Sequence, residues 1–300
     1  MSNEIVPAEE ATPTTVETTE TREPGIYLNL DNDAYHSGPG VSKSGLWTIE
    51  TKTPSHFKNE VRETKDHFEF GSAAHLAILE PEEFEWKVYR GPADRRGNKW
   101  KDAKEYCAIE KKHLLIEGDY DKVLAIRDTV HANPWINSMI TGGPREVEAS
   151  GYWIDEETGV LCRCRHDLYR TDLGVSIDVK TAANASPGAF DRKASDFGYH
   201  MQDAFYSDGY RALGREVNAF VFLAWEKDAP FEFSIQELPP SAVQEGRMAY
   251  RNALEIYAEC QRTGDWWGYQ RGKEVRTMKF PRWGYKYVTN PEELDNAKDG

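Results

Sequence analysis

Alternation of apolar and polar residues dominates the middle of the chain. Three consecutive stretches, residues 145–154, 160–170 and 174–181, alternate with the period of two that is typical of strands, and turn residues separate them. Two further strands are predicted over residues 218–225 and 231–238. Several other stretches between residues 42 and 263 have apolar positions with a helical period.

The predicted helices fall into two groups, before and after the first three strands. They run from Ser42 to 49, from Pro54 onward, over 70–79 up to Pro81, over 99–117 and 119–132 with a break at Gly118, from Pro187, over 199–213, and from Pro239 to 263. This order of helices, three strands, a helical stretch, two strands and a long helix predicts an α/β fold, with a mixed central sheet flanked by helices.

Neither a repeat nor a long linker interrupts residues 25–287, which favours a single domain. Residues 1–24 consist largely of Thr, Glu and Pro and are expected to form a disordered acidic tail. Residues 288–300 are expected to form a second acidic tail.

Composition narrows the class of protein. The net charge is −14, of which residues 1–24 carry −5 and residues 291–300 carry −3, so the bulk of the chain is only mildly acidic and a local basic groove stays possible. Four cysteines are too few for a disulfide scaffold, and no apolar stretch is long enough for a membrane span. We expect a cytoplasmic protein with no membrane contact.

The strand over residues 174–181 carries the first candidate chemistry. Val175, Ile177 and Val179 are predicted to point into a core, so Asp178 and Lys180 share the opposite face. Charged groups on a strongly apolar strand need a partner. A simple ion pair between the two is one interpretation.

The preceding strand favours a second interpretation. Arg163, Arg165 and Asp167 are predicted to share a face, which brings a second carboxylate and two guanidinium groups to the same region. Converging carboxylates repel each other unless a cation lies between them, and oxygen ligands suit Mg²⁺ or Mn²⁺. Metal-assisted phosphodiester hydrolysis would use such a group, with the arginines on phosphates. Glu148, predicted to share a face with Glu146, is a candidate third carboxylate.

Four blocks of sequence carry a family resemblance. They are Phe70-Gly-Ser-Ala-Ala-His75 with Leu79-Glu-Pro81, Cys162-Arg-Cys-Arg-His-Asp167, Asp178-Val-Lys-Thr181, and Tyr199-His-Met-Gln-Asp-Ala-Phe-Tyr-Ser-Asp-Gly-Tyr210. Jointly they resemble the nuclease domain of RecE-type exodeoxyribonucleases (exodeoxyribonuclease VIII and its phage-encoded relatives). These belong to the RecB-like branch of the PD-(D/E)XK superfamily, which has a restriction-endonuclease-like core. His166 stands where the signature expects Pro, and its side chain is expected on the face opposite Asp167.

The resemblance assigns a role to each matching residue. Asp167 and Asp178 would bind the metal, with the Val179 carbonyl and His75 as further ligands, and Lys180 would be the catalytic lysine.

Two more positions match the Gln-x-x-x-Tyr element of RecB-like nucleases. Gln202 and Tyr206 lie one helical turn apart, and would contact a phosphate or the catalytic lysine from a shared face.

The resemblance also implies an activity and partners. It implies a Mg²⁺-dependent 5′-3′ exodeoxyribonuclease (with Mn²⁺ as a substitute) that acts on ends of linear double-stranded DNA and leaves 3′ overhangs for recombination. It further implies a homo-oligomeric ring, a RecT-like single-strand annealing protein as partner, and a phage gene expressed in a bacterial cytoplasm. Two alternatives stay open: a single-strand- or structure-specific RecB/Cas4-like nuclease, and a non-catalytic DNA-end-binding partner of an annealing protein.

Three other features have competing interpretations. Cys162 and Cys164 suggest a metal or iron–sulfur cluster, but the other two cysteines are isolated, which favours packing. The pair Trp266-Trp267 and Trp283 could stack on nucleotide bases, whereas packing is the commoner role. The basic loop over residues 94–101 is either solvated or in contact with a DNA backbone.

Overall fold

The computed structural model describes residues 22–60 and 66–287. Residues 1–21 of the predicted N-terminal tail, and the whole C-terminal tail from residue 288, lie outside the described residues. The chain divides into a large unit up to Trp266 and a small unit from Trp267 onward, and the two are described separately. The single-domain boundary at residue 287 stays a prediction.

The strands and helices of the large unit are numbered in chain order. The strands are β1 (Gly25–Tyr27), β2 (Val41–Ser42), β3 (Val88–Arg90), β4 (His113–Leu115), β5 (Arg145–Ile154), β6 (Leu161–Arg170), β7 (Val175–Ala182), β8 (Ala219–Glu226) and β9 (Phe233–Gln236). The helices are α1 (Asn32–Ser37), α2 (Lys43–Thr51), α3 (Pro54–Lys58), α4 (Asp66–Leu79), α5 (Pro81–Lys87), α6 (Gly97–Glu110), α7 (Glu117–Ala132), α8 (Pro134–Thr141), α9 (Pro187–Asp196), α10 (Tyr199–Ala212) and α11 (Pro240–Thr263).

A mixed, mostly antiparallel sheet forms the centre of this unit. Its strand order is β1-β5-β6-β7-β8-β9, and β2 pairs with β6 on the side of the main path. Strands β7 and β8 are parallel, as are β2 and β6, while the other neighbours are antiparallel. The predicted α/β fold with helices flanking a mixed sheet is therefore confirmed.

Both faces of the sheet are buried under helices. The face covered by α4 and α7 presents apolar side chains from β6, β7 and β8, namely Leu168, Ile177, Val179, Leu223 and Trp225. The face covered by α10 and α11 presents Cys162, Cys164 and Tyr169 against Phe205, Tyr210 and Leu254. Removing this apolar surface from water is the main term that holds the layers together.

The alanines of α4 determine how closely that helix approaches the sheet. Ala73, Ala74 and Ala77 are fully buried, and such small side chains let the backbones of the helix and the sheet come close together. His75 stands on the same helix and therefore reaches the backbone of β7.

Two of the cysteines are packing residues of the core. Cys162 and Cys164 are free, fully buried and part of the core beneath α10 and α11. The prediction that they pack as small apolar residues is confirmed, and burial raises the pKa of both thiols.

The predicted helices over residues 99–117 and 119–132 are only partly right. Helix α6 ends at Glu110 because Lys111 adopts a left-handed conformation, with φ of 51°. Residues His113–Leu115 then pair with β3 as a short parallel strand. Gly118, predicted to separate two helices, lies inside the first turn of α7. The strand pairing is a tertiary contact, and the local helical period does not reveal it.

A buried carboxylate on α10 gives a prediction about stability. Burial raises the pKa of Asp203 to about 6, while Ser207 Oγ donates to its Oδ1 over 3.1 Å. Because the folded state holds this proton more tightly than the unfolded state, stability is lost as pH rises from about 4 through about 6. Asp203→Asn is expected to raise the free energy of unfolding by up to about 3 kcal/mol at pH 7.

Urea denaturation at pH 4 and pH 7 measures this effect, with Asp191→Asn on α9 as the exposed control. The gain should be confined to pH 7. An equal gain at both pH values would contradict ionisation of Asp203 as its cause.

Candidate active site

Strand β7 and helix α10 hold the most buried part of the site. Asp178 is 3% exposed, and its Oδ2 lies 2.6 Å from Lys180 Nζ. The side-chain amide of Gln202, on α10, donates to Asp178 Oδ1 over 2.5 Å. The expectation that Asp178 and Lys180 share a face is therefore confirmed, and α10 brings the predicted Gln202 to the same carboxylate.

Lys180 is a fixed positive charge in this arrangement. Burial by itself lowers the pKa of Lys180, but the negative charges of Asp178 and Asp167 outweigh it and raise the pKa above its ordinary value. Its Nζ also lies 5.0 Å from the centroid of the Tyr199 ring, a cation–π contact. The lysine is thus suited to donating hydrogen bonds and stabilising negative charge.

Asp167 lies where β6 and β7 separate. Their backbone pairing covers three residue pairs, the last of which is Leu168 with Ile177. Beyond that point the amide of Val179 donates to Asp167 Oδ2 over 2.7 Å. A bond from backbone to side chain thus takes the place of a backbone bond between the two strands. The same oxygen lies 3.5 Å from His75 Nδ1.

Glu148 completes a cluster with His75 and Asp167. Its Oε1 lies 3.9 Å from His75 Nδ1, and one ligand atom of each of the three residues lies within 4.8 Å of the other two. Glu148 has a φ of 48°, in the left-handed region, which interrupts the alternation of β5.

The interruption at Glu148 corrects one expectation from the sequence. Glu146 does not share the orientation of Glu148, because it forms an ion pair with Arg215, which follows α10. Strict alternation would have placed both side chains on one face. A left-handed residue inside a strand has no reliable sequence signature when that residue is Glu.

The contacts of His75 define its proton position. Its Nε2 lies 2.7 Å from the Val179 carbonyl, which can only accept, so Nε2 carries a proton and Nδ1 faces the two carboxylates. Burial lowers the pKa of His75, but Asp167 and Glu148 outweigh it and raise the pKa to about 9. The imidazolium therefore offsets the carboxylate charge when no metal ion is bound.

The donor set fits a divalent cation. Two carboxylates and an imidazole are ligands that Mn²⁺ and related ions accept, and a histidine whose second nitrogen donates to a backbone carbonyl is the usual arrangement at such sites. A cation at Nδ1 would take over the neutralising role of the proton there. Asp178 lies outside this three-residue cluster, and its buried Oδ2 is paired with Lys180 Nζ. Metal binding by Asp178 and by the Val179 carbonyl stays a prediction.

The two predicted phosphate-binding arginines have structural partners. Arg163 is 4% exposed and donates to backbone carbonyls of residues 36–39. Arg165 donates to Ser150 Oγ and to the Leu30 carbonyl, and its guanidinium lies 4.0 Å from Glu148 Oε2. Arg165 thus adjoins the carboxylate cluster, whereas the burial of Arg163 does not favour contact with a phosphate.

Tyr206, one helical turn after Gln202, lies in an aromatic environment. Tyr206 packs among aromatic rings, with His166 at 5.1 Å and Phe220 at 6.2 Å between ring centroids. Burial raises the pKa of Tyr206 well above its ordinary value. A role for Tyr206 in contacting phosphate stays a prediction.

His166 lies on the face opposite Asp167, as expected. Its Nδ1 bonds Ser176 Oγ, its ring packs on Tyr210, and burial lowers its pKa to about 3. A neutral, buried histidine therefore occupies the position of the proline in the signature.

Sequence reasoning missed Lys43. It begins α2, is 9% exposed, and donates from Nζ to the Phe197 carbonyl over 2.6 Å. Burial and the nearby ammonium of Lys180 lower the pKa of Lys43 to about 7. A basic residue in the first turn opposes the helix dipole, and this was the one signal in the sequence that marked it.

Comparison with protein families agrees with this geometry. Residues 47–273 match the family model described as a PDDEXK-like domain of unknown function (DUF3799). The chain belongs to this family. The match includes His75, Glu148, Asp167, Asp178, Lys180 and Gln202, so every residue of the cluster and of the adjoining ion pair lies within the PDDEXK-like domain.

A solved structure of low sequence identity shares the fold. A candidate exonuclease from Eubacterium rectale superposes with a TM-score of 0.54 at 15% identity, over 77% of this chain and 86% of that one. A phage-related exonuclease from Haemophilus somnus 129PT gives a TM-score of 0.32 at 11% identity, over 78% of this chain and 100% of that one. No curated protein matches significantly.

The PDDEXK-like domain is a nuclease fold, and nucleases built on it generally use divalent metal ions. Within residues 22–60 and 66–287, no helix combines the length and the apolar character that crossing a membrane requires.

Proposed function

We propose that this protein is a Mg²⁺-dependent exodeoxyribonuclease that degrades linear double-stranded DNA from its 5′ ends and leaves 3′ overhangs for recombination. The observation that carries the proposal is the junction of two groups: the Asp178–Lys180 pair held by Gln202, and the His75–Glu148–Asp167 cluster. The Val179 backbone joins them. The 5′ polarity and duplex preference rest on the RecE-type resemblance.

Each group has a distinct task in hydrolysis. His75, Glu148 and Asp167 would hold the cation, which when bound acts as a Lewis acid toward the scissile phosphate and its attacking water. The Lys180 ammonium would donate a hydrogen bond to that water or to the charge developing on phosphate oxygen. Gln202 keeps Asp178 in place, and Asp178 in turn orients Lys180.

The resemblance supplies the wider setting of the proposal. A ring of several copies would keep the enzyme on its DNA, and a RecT-like annealing protein would receive the overhang. Both would operate in the cytoplasm of a bacterial host.

Digestion of end-labelled DNA tests the activity. Linear duplex labelled at either 5′ or 3′ ends is incubated with Mg²⁺, Mn²⁺ or EDTA, beside circular duplex and single-stranded DNA of the same sequence. The proposal predicts that, when metal is present, the 5′ label is released before the 3′ label, and from linear duplex only. Preferential cleavage of single strands or of circles would indicate the RecB/Cas4-like alternative. Binding of DNA ends without any digestion would indicate a non-catalytic partner.

A further inference from the structure

The small unit has a charge opposite to that of the whole chain. Residues 267–287 contain six Lys or Arg and one Glu, a net charge of +5, while the complete chain carries −14. The rest of the chain therefore carries −19. Such a concentration of basic residues in an acidic protein favours an anionic ligand at this segment.

The same segment also contains many aromatic side chains. The segment contains Trp267, Tyr269, Phe280, Trp283, Tyr285 and Tyr287. Trp283 is 87% exposed and Tyr287 is 94% exposed, and Met278 is also largely exposed. Several large apolar side chains that are exposed within one short segment are a feature of interaction sites.

Contacts inside the segment arrange some of these groups. The Arg271 guanidinium lies 3.8 Å from the centroid of the Trp267 ring, which is a cation–π contact. The Gln270 amide donates to the carbonyls of Gly272 and Glu274, over 2.6 and 2.8 Å, which shapes the turn that follows. Phe280 and Tyr285 pack edge to face at 4.9 Å between ring centroids.

The combination of open rings and cations selects among anionic ligands. Duplex DNA would engage the cations but not the rings, because its bases are already stacked on each other. An acidic peptide, including an acidic segment of a second copy of this chain, would likewise leave the rings without a partner. Single-stranded DNA offers both phosphates and unstacked bases, and base–aromatic stacking is the usual way in which proteins hold it.

We propose that residues 267–287 form a binding site for single-stranded DNA, made of residues other than the candidate catalytic groups on β5, β6, β7, α4 and α10. In the setting of the proposed function, on which this biological role rests, its ligand is the overhang that the nuclease produces. Binding of single-stranded DNA does not depend on hydrolysis, so it can be measured under conditions in which no DNA is cleaved.

Fluorescence anisotropy of a labelled oligothymidylate measures this binding in EDTA, with the full-length chain. An oligomer of about 20 nucleotides exceeds the roughly 4–16 nucleotides that single binding folds usually cover. Trp283→Ala and Tyr287→Ala are each expected to weaken binding by about 5- to 100-fold. Trp135→Ala, an exposed tryptophan on α8, is the matched control and should bind as the wild type does.

Charge variants test the second half of the site. Lys279→Gln and Lys286→Gln should each reduce the salt dependence of single-strand binding by about 0.7 in the slope of log affinity against log salt. Lys52→Gln, an exposed lysine at the end of α2, is the control. Far-ultraviolet circular dichroism checks that every variant is folded.

Three results would overturn the proposal. Unchanged oligothymidylate binding in both aromatic variants would do so, as would an equal loss of duplex binding and single-strand binding. A change of molecular mass in analytical ultracentrifugation, without a change in DNA affinity, would assign the segment to contacts between copies. A failure of digestion with intact single-strand binding would refute the nuclease proposal alone.

Discussion

Replacing Lys180 with methionine is expected to slow metal-dependent DNA hydrolysis by about 10²- to 10³-fold, the range typical of losing one positioned donor to developing negative charge. Methionine keeps most of the apolar stem but removes the ammonium, which is the cation nearest Asp178 among the described contacts. Single-turnover digestion of end-labelled duplex with saturating protein measures the chemical step directly.

The matched control is Lys52→Met, at an exposed position. DNA binding by the Lys180 variant in EDTA should stay within a few-fold of the wild type, because a single cation contributes only a small part of phosphate binding. A variant that digests at the wild-type rate would remove Lys180 from the mechanism. A variant that loses binding and hydrolysis to the same degree would assign Lys180 to DNA affinity.

The second large effect is expected for Asp167→Asn. The amide keeps an oxygen that can accept from the Val179 amide, but it removes a negative charge from the His75–Glu148–Asp167 cluster. Since loss of a group that merely supports a metal ligand typically lowers affinity 10- to 100-fold, loss of a direct carboxylate ligand is expected to lower Mn²⁺ affinity by at least about 100-fold. Isothermal titration calorimetry with Mn²⁺ measures it.

Stability without metal separates this effect from misfolding. Burial raises the pKa of Asp167, so its charge is costly in the empty site, and the variant should unfold at a temperature no lower than the wild type in EDTA. Asp102→Asn, on an exposed face of α6, is the charge-matched control. Undiminished Mn²⁺ affinity in Asp167→Asn would place the metal elsewhere.

The central sheet was predictable because its strands carry a strong local signal. Alternation over residues 145–181 gives β5, β6 and β7 nearly to the residue, and the apolar stretch at 218–225 gives β8. Strands β1 to β4 were not predicted, since they have two or three residues each and exist only through pairing with distant segments. Such contacts are stabilised by tertiary structure and leave no periodic pattern.

In the candidate site, too, some residues were predictable from the sequence and others were not. Alternation was enough to place Asp178 and Lys180 on one face of a strand, and the family resemblance added Gln202 to them. The positions of Glu148 and Lys43 depend on a left-handed backbone conformation and on burial against a loop 154 residues away in sequence. Neither property can be read from a short stretch of sequence. Sequence analysis therefore gave Glu148 only as a candidate carboxylate and did not indicate Lys43.

One residue whose side chain does no chemistry connects the two halves of the site. The amide of Val179 donates to Asp167 on β6, where the strands have separated, and its carbonyl accepts from His75 on α4. Its side chain meanwhile packs in the core beneath α4. Mutation can therefore change that side chain among apolar residues without altering the main-chain atoms that contact Asp167 and His75. A site tied to main-chain atoms can outlast extensive divergence of sequence, because every amino acid except proline carries the same amide and carbonyl.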